Sequence, residues 1–406
     1  MNIIVQKFGG SSVADEEKRE KVIEKILRAK QEGNHVVVVL SAMGRAPHPY
    51  ATDTLIGLVK FSEKHQICPR DLDLLTSCGE TISCVVMAQS LRDRGHDAIA
   101  LTGWQAGIIT DNNFCDARIR KIQPDFILHN LEQGKTPIVT GFQGLSEDGE
   151  ITTLGRGGSD TSATALGVAL KAKAIEIYTD VDGVLSADPR ILDSPRQIPE
   201  LNYIEAGEMS GQGAKVLHKR CIGPAHQHSI PLWVKSTLTD NPGTRISNDT
   251  VEEGFETGRV VTTIVHVDSM AQIAVDLIDT QDRSLMRLEL LRAFWNAGIS
   301  IDFINVIREK LYFIVNEHEV MQVVAICREL DLPVSINHDC AKVSCVGIGM
   351  KGTPGVMASI QEALASAGVN MLQATDSHVT ISCLVKGKDL KNAVAALADK
   401  FNLREY

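Results

Sequence analysis

Excess positive charge is missing from this sequence: 41 Lys and Arg stand against 51 Asp and Glu, a formal net charge of −10. Sequence-independent nucleic-acid binding and anionic-membrane binding both need a basic face, so neither is expected. Long apolar runs are missing too. Near the start the longest uninterrupted aliphatic stretch is Val36-Val37-Val38-Val39-Leu40, far short of a bilayer. No charged-then-apolar leader precedes the strand-like Ile3-Ile4-Val5, so no targeting segment is read there. The cysteines number nine, an odd count without a CxxC pair. They argue against structural disulfides and for a reducing cytoplasm. Cys340 and Cys345 sit at strand-like positions and read as small core residues. What is present is a chain of 406 residues, 44% hydrophobic and 23% charged. That supports two or three domains with real cores and argues against disorder.

The first part alternates strand and helix. Residues 2–6 form an apolar strand, followed by the loop Lys7-Phe8-Gly9-Gly10-Ser11-Ser12. Over 15–32, Val22, Ile23, Ile26 and Leu27 fall at helical spacing, and Gly33-Asn34 stops the helix. The fully apolar run ending at Leu40 is a strand of the parallel-sheet kind. A helix from about Glu80, strands at 98–101 and 137–141, a helix over 160–172 and a strand at 175–178 continue the pattern. This is an α/β domain with a largely parallel sheet, ending near Arg245 before a polar stretch that includes Ser247-Asn248 and Glu252-Glu253-Gly254. The remainder repeats itself at an offset of 70 residues: Ala271-Gln272-Ile273-Ala274-Val275 matches Ala341-Lys342-Val343-Ser344-Cys345. At the same offset Ala297-Gly298-Ile299 matches Ala367-Gly368-Val369, and Leu311-Tyr312-Phe313 matches Ile381-Ser382-Cys383. Each unit reads strand, helix, strand, strand, helix, strand, a ferredoxin-like βαββαβ module with its full complement. The expected domains are 1–246, a linker at 247–261, and modules at 262–340 and 341–406, with a strand near 262–267 able to pair with the second module.

Three loops carry more Gly, Ser, Thr and Asp than connection requires. The first, Lys7 to Ser12, lets backbone N–H groups approach an anion beside a mobile cation, although a plain strand-to-helix turn explains a bare KxGG equally. The second, Ser41-Ala42-Met43-Gly44, also follows a strand, at the sheet edge where α/β proteins bind ligands. The third, Gly155-Arg156-Gly157-Gly158-Ser159-Asp160-Thr161-Ser162, opens an Ala-rich helix. A cap accounts for Ser159 or Asp160 but not for three glycines and an arginine expected to be buried. Thr76-Ser77-Cys78-Gly79-Glu80 places Glu80 at an expected helix start, which dipole arguments alone would favour. Thr179-Asp180-Val181-Asp182-Gly183 starts like a calcium loop without its later ligands. His226-Gln227-His228 has no third metal ligand and reads as a solvated loop.

Taken in order, with Gly79-Glu80, Ala187-Asp188-Pro189-Arg190 and Gly213-Ala214-Lys215-Val216-Leu217, these loops resemble the aspartate kinases. The paired repeat resembles that family's two ACT regulatory modules. The resemblance covers essentially the whole chain and is nearest the monofunctional bacterial lysine-pathway type. It implies an amino-acid kinase fold, cytoplasmic, in which ATP with Mg²⁺ converts L-aspartate to 4-phospho-L-aspartate for lysine, diaminopimelate, threonine and methionine biosynthesis. By matching position, Lys7, Phe8, Gly9, Gly10, Ser41, Thr179, Asp180, Leu185, Asp188, Arg190 and Lys215 would line the ATP site. Thr52, Glu80, Arg156 and Ser159 would bind aspartate. Lys7 and Asp160 would be catalytic, and Mg²⁺ would be held mainly by ATP, without dedicated protein ligands. A homodimer through the ACT modules is implied, with a feedback amino-acid effector: lysine, threonine or diaminopimelate.

The chemistry fits the residues. A substrate carboxylate with a pKa near 4 is already a nucleophile at neutral pH, so no His or Cys base is needed. The obstacle is repulsion from the triphosphate, which a lysine, a metal and a helix N-terminus relieve. An acid for the substrate ammonium and an arginine for its α-carboxylate complete the requirement, the roles that suit Glu80 and Arg156. Gly352-Thr353-Pro354-Gly355-Val356 in the second module falls opposite Asp282-Arg283-Ser284-Leu285-Met286 in the first. The resemblance to ACT modules implies that Thr353, Pro354, Gly355, Val369 and Asn370 hold the effector, with Ser300 at the place of Asn370 in the first module. Two other readings remain at this point: another amino-acid or carboxylate kinase of the same fold, and a non-catalytic amino-acid sensor.

Overall fold

The structure, a computed structural model, describes residues 1–59, 67–214, 216–248, 260–277, 282–350 and 352–405. It divides into two compact units, residues 1–184, 197–210 and 215–252 in the first and 185–196, 211–214 and 253–406 in the second. Up to residue 246 the strands are β1 (Ile3–Phe8), β2 (His35–Leu40), β3 (Ala98–Leu101), β4 (Ile108–Thr110), β5 (Ile119–Ile122), β6 (Thr136–Thr140), β7 (Gln143–Ser146), β8 (Ile151–Thr153), β9 (Ala174–Thr179), β10 (Val184–Leu185), β11 (Gln197–Ile198), β12 (Glu200–Leu201), β13 (Leu232–Ser236) and β14 (Thr244–Ile246). The helices among them are α1 (Glu16–Gln31), α2 (Thr52–Gly57), α3 (Pro69–Arg92), α4 (Asp125–Glu132), α5 (Gly158–Ala169), α6 (Tyr203–Gly211) and α7 (Lys219–Gln227).

The main sheet runs β12-β14-β13-β9-β1-β2-β6-β3. Its neighbours are parallel except β13 and β14. Val36 to Leu40 of β2 are all buried, because a strand covered on both faces needs no polar alternation. β1 lies at the centre, between β2 on one side and β9 on the other, so connections leave it in opposite directions. Of the loops singled out in the sequence, those at Gly9, Ser41 and Asp180 follow the carboxyl ends of β1, β2 and β9, the edge where such sheets bind ligands, while the Gly155 loop follows β8. A smaller sheet runs β5-β4-β7-β8.

The helix expected to begin near Glu80 begins at Pro69, so Glu80 sits in mid-helix rather than in its first turn. Pro69 occupies the first helical position and Asp71 the first turn, both favourable at a helix start. The Thr76-Ser77 pair lies inside this helix, its hydroxyls turned back onto the preceding turn, with Thr76 Oγ1 donating to Leu72 O at 2.9 Å and Ser77 Oγ to Leu74 O at 2.8 Å. By length and composition α3 passes for a membrane span. It is half buried in the fold, with Asp73, Thr76, Ser77 and Glu80 among its buried residues. His226 lies in the last turn of α7, with its ring stacked on Tyr203 at 5.1 Å.

The second unit comprises β15 (Thr263–Asp276), α8 (Arg283–Asn296), β16 (Asp302–Ile307), β17 (Lys310–Asn316), α9 (Val320–Glu329), β18 (Val334–Val346), α10 (Val356–Ser366), β19 (Gln373–Asp376), β20 (Thr380–Lys386) and α11 (Leu390–Lys400). Its sheet runs β16-β17-β15-β18-β20-β19. β15 and β18 pair antiparallel along their whole lengths, with Thr263 opposite Val346 and Val275 opposite Val334. Residues 263–267 therefore serve as the last strand of the second repeat, and residues 334–337 as the last strand of the first. The second repeat does not hold a full strand complement of its own. Ser269 and Asp339, one repeat apart, both adopt positive φ (55° and 53°) where the register shifts. Residues 185–196 join this unit: Ala187 and Leu192 lie in the core with Val343, Ile360 and Leu397, and Ile264 N donates to Ser186 O at 2.8 Å.

Candidate active site

β1 ends at the first glycine loop, and Lys7 is its penultimate residue. Its ammonium lies 2.6 Å from Asp160 Oδ1, in the first turn of α5, with both side chains only 12% and 14% exposed. The approach is an ion pair rather than an aligned hydrogen bond. The backbone sets this geometry. A Cβ on Gly10 would lie 2.5 Å from Ala42 O and 2.7 Å from Gly44 O, so only glycine lets the loops after β1 and β2 meet. Gly44 N donates to Gly10 O across that junction at 2.9 Å. Gly9 is the N-cap of the short turn that follows, and a Cβ there would stand 3.7 Å from Lys7 Nζ. Phe8 is buried and stacks on Tyr178 at 4.6 Å, holding the ends of β1 and β9 together.

Neither Ser159 nor Asp160 caps α5, contrary to the simplest sequence reading. The N-cap is Gly157, in the left-handed region at φ 71°, with no side-chain hydrogen bond onto the first turn. The start of α5 therefore has no side-chain cap, and the acid in its first turn, Asp160, is the partner of Lys7. Ser159 is buried against Gly141, where a Cβ would come within 2.7 Å of its Oγ. Arg156, expected to be buried, is exposed and has no ion-pair partner among the described residues. It stands on the turn between Gly155 (φ 69°) and Gly157, which lifts it off the unit's surface.

Glu80 is 2% exposed. Its Oε1 accepts from Ala42 N at 3.1 Å, while Oε2 has no partner among the described residues. Burial pushes its pKa up to about 8. Gly79 keeps it close, since a Cβ there would lie 2.8 Å from Ala42 Cβ and 2.9 Å from Tyr50 O. Thr52 is half-buried at the start of α2. Ser41 is half-buried, and its N donates to Phe8 O at 3.2 Å. At the end of β9, Thr179 Oγ1 donates to the exposed Asp180 at 3.0 Å. Lys7, Phe8, Gly9, Gly10, Ser41, Thr52, Glu80, Arg156, Ser159, Asp160, Thr179 and Asp180 all belong to the first unit. Leu185, Asp188 and Arg190 belong to the second, where Asp188 and Arg190 pair at 2.6 Å. Lys215 lies outside the described residues.

Two groups were not singled out in the sequence. Asp73, 1% exposed, accepts from Thr153 and Cys115; its only sequence signal is its place seven residues before Glu80, on the same helix face. Glu176 is buried and accepts from Gln6 Nε2 at 2.9 Å, Tyr178 Oη at 3.1 Å and Lys235 Nζ at 2.6 Å. It lines a cavity of roughly 170 Å³, whose lining includes none of the sequence-derived site residues. No cluster of three metal-ligating side chains occurs among the described residues.

In the second unit, Gly355 is the N-cap of α10 at φ 87°, again with no side-chain cap. Thr353 Oγ1 donates to Gly349 O at 2.6 Å, Val369 is buried and Asn370 exposed. The corresponding helix of the first repeat starts differently: Asp282 accepts from Ser284 N at 2.9 Å and Leu285 N at 3.0 Å.

Comparison with known proteins agrees with this arrangement. The model of the amino acid kinase family matches residues 2–236, and that of an ACT domain matches residues 335–399. Aspartokinase 1 of Bacillus subtilis is 42% identical over 407 residues, covering 99% of this chain and 100% of that protein. The aspartokinase of Geobacillus stearothermophilus is 38% identical over 411 residues, covering 100% and 98%. The structure of E. coli aspartokinase III in complex with aspartate and ADP is similar in fold, with a TM-score of 0.79 at 24% identity over 98% of this chain and 100% of that one. The chain belongs to the amino acid kinase family and, within it, to the aspartokinases.

Proposed function

We propose that the chain transfers the γ-phosphoryl group of ATP to the side-chain carboxylate of L-aspartate, giving 4-phospho-L-aspartate, with Lys7 and Asp160 at the reacting centre. The observation that carries this reading is the Lys7–Asp160 pair, largely sequestered where β1 meets the uncapped start of α5. A positive helix end, a lysine and a backbone that only glycine permits are what a transferring phosphoryl group requires. The aspartate carboxylate is ionised at neutral pH and needs no base. The residues lower the barrier by offsetting charge repulsion. Lys7 supplies the mobile cation, and Asp160 holds that ammonium in place before substrate arrives. Phe8, Gly9, Gly10, Ser41, Thr179 and Asp180 flank the nucleotide. The glycine cradle fits a triphosphate, and Mg²⁺, held mainly by the phosphates, would supply charge neutralisation between them.

Glu80 and Arg156 take opposite ends of the substrate. The partnerless Glu80 Oε2 is an acceptor waiting for an ammonium, and the unpaired Arg156 suits a carboxylate. Thr52 and Ser159 add hydroxyls. The second unit supplies feedback regulation, with the effector at Thr353, Pro354, Gly355, Val369 and Asn370; lysine, threonine and diaminopimelate are the ligands to screen. A homodimer through the ACT modules is supported by edge strand β16, with exposed Ile304, Val306 and Ile307, beside the exposed Leu285, Leu288 and Trp295 of α8. Nine free thiols support a cytoplasmic setting. A coupled ADP-release assay tests the activity: turnover that requires aspartate supports it, and turnover indifferent to aspartate overturns it.

A further inference from the structure

We infer that Asp73 is a positioning residue for the aspartate-binding pair, setting where Arg156 stands relative to Glu80; this rests on the substrate roles proposed above for those two residues. Asp73 is a carboxylate 1% exposed with no ion-pair partner among the described residues. Its oxygens are occupied by donors from two other segments. Thr153 N donates to Oδ2 at 2.9 Å and Thr153 Oγ1 to Oδ1 at 2.6 Å, while Cys115 N reaches both oxygens at 3.0 and 3.1 Å. A buried anion answered only by hydrogen bonds is costly unless every lone pair is used, so the arrangement ties α3 firmly to both segments.

Those segments lead to the substrate site. Thr153 ends β8, and Arg156 follows three residues later. Cys115 is held at φ 66°, in the left-handed region, and its neighbour Asp116 faces Gly155, where a Cβ would lie 2.8 Å from Asp116 Oδ1. Arg220 closes the same corner, donating to Leu154 O at 2.8 Å and pairing with Asp116 at 2.7 Å. On the other side Asp73 lies two turns, about 10 Å, before Glu80 on one rigid helix. One carboxylate thus fixes the base of the Arg156 turn to the helix that carries Glu80. Gln143 Nε2, donating to Ser77 O at 2.9 Å, adds a second tie between α3 and the smaller sheet.

The chemistry of the site demands a carboxylate. Both oxygens face N–H or O–H donors, so in Asp73→Asn the amide NH₂ must confront a backbone N–H whichever way it is turned. Steady-state kinetics of the full chain carrying Asp73→Asn should show the aspartate KM raised about tenfold or more with the ATP KM within about twofold of wild type. Thr153→Val removes one donor, keeps the shape, and should shift aspartate KM in the same direction by roughly two- to fivefold. It decides the matter if Asp73→Asn fails to fold. Glu80→Gln and Arg156→Ala serve as references. If they raise aspartate KM and both Asp73→Asn and Thr153→Val leave it unchanged, or raise the ATP KM in parallel, the positioning role is wrong. If the references themselves leave aspartate KM unchanged, the substrate assignment falls, and this inference with it.

Discussion

The two C-terminal repeats run residue for residue at an offset of 70, through β17 and β20 and through the short turns at Glu317–Glu319 and Gly387–Asp389, yet they start their first helices in different ways. In the first repeat Asp282 spends its carboxylate on two N–H groups of α8. In the second, Gly355 leaves the start of α10 without a side-chain cap. Helix α5 of the first unit matches the second pattern, with left-handed Gly157 in the same position. A side-chain cap makes a helix start self-sufficient, whereas a glycine cap leaves it a site for someone else's anion. One fold, used twice, therefore leaves one helix start without a side-chain cap and closes the other with one.

The largest expected effect tests the catalytic member of the comparison. Lys7→Met removes a preorganised cation and should lower kcat about a hundredfold or more, on the order of 3 kcal/mol, in a coupled assay. A rate within a few-fold of wild type would remove Lys7 from the reacting centre.

Gly355→Asp puts a side chain at a left-handed position (φ 87°) and a carboxylate at the open start of α10. Inhibition by the effector should weaken about tenfold or more while uninhibited turnover stays unchanged, since only the coupling is lost. Full inhibition surviving the change, or calorimetry finding two equivalent effector sites per chain, would break the comparison.

The pH dependence of aspartate binding sharpens the contrast between an acid held ready for a ligand and one already spent on a helix. Burial raises the Glu80 pKa to about 8, so at pH 7 the empty site is mostly protonated there. Ionised Glu80 attracts the substrate ammonium, so aspartate KM should fall several-fold as pH rises from about 6 to 8, with proton release on binding. Glu80→Gln should raise KM and flatten this profile; an unaltered profile would assign the titration elsewhere.

The smallest effect belongs to the closed helix start. Asp282→Ala should cost about 1 kcal/mol of stability in the second unit, read by denaturant unfolding, with inhibition essentially intact. Loss of inhibition there would put the first repeat's loop at an effector site.

Much of this was legible before the fold was known. The glycine loops, the apolar run of β2 and the 70-residue repeat are local or periodic signals legible in the sequence, although the second repeat lacks the full strand complement its pattern suggested. Other features escaped for identifiable reasons. Thr76 and Ser77 read as loop residues because sequence does not show a hydroxyl bonding back to the preceding turn. Arg156 was expected to be buried among glycines; those glycines instead lift it outward. Asp73 carries no motif, since its partners lie 42 and 80 residues away.

The sequence alone determined the class of chemistry, because glycine, lysine and acid at strand ends restrict what a loop can bind whatever surrounds it. It also determined that the second module is a copy of the first, because periodicity survives without coordinates. Tertiary structure decided which acids are buried and which cations stand free, and it decided that the second repeat takes residues 263–267, which precede the first, as its last strand across the β15–β18 ladder. Those outcomes depend on long-range pairing and on water exclusion. A residue's neighbours across the sheet, not along the chain, set its charge state and its reach.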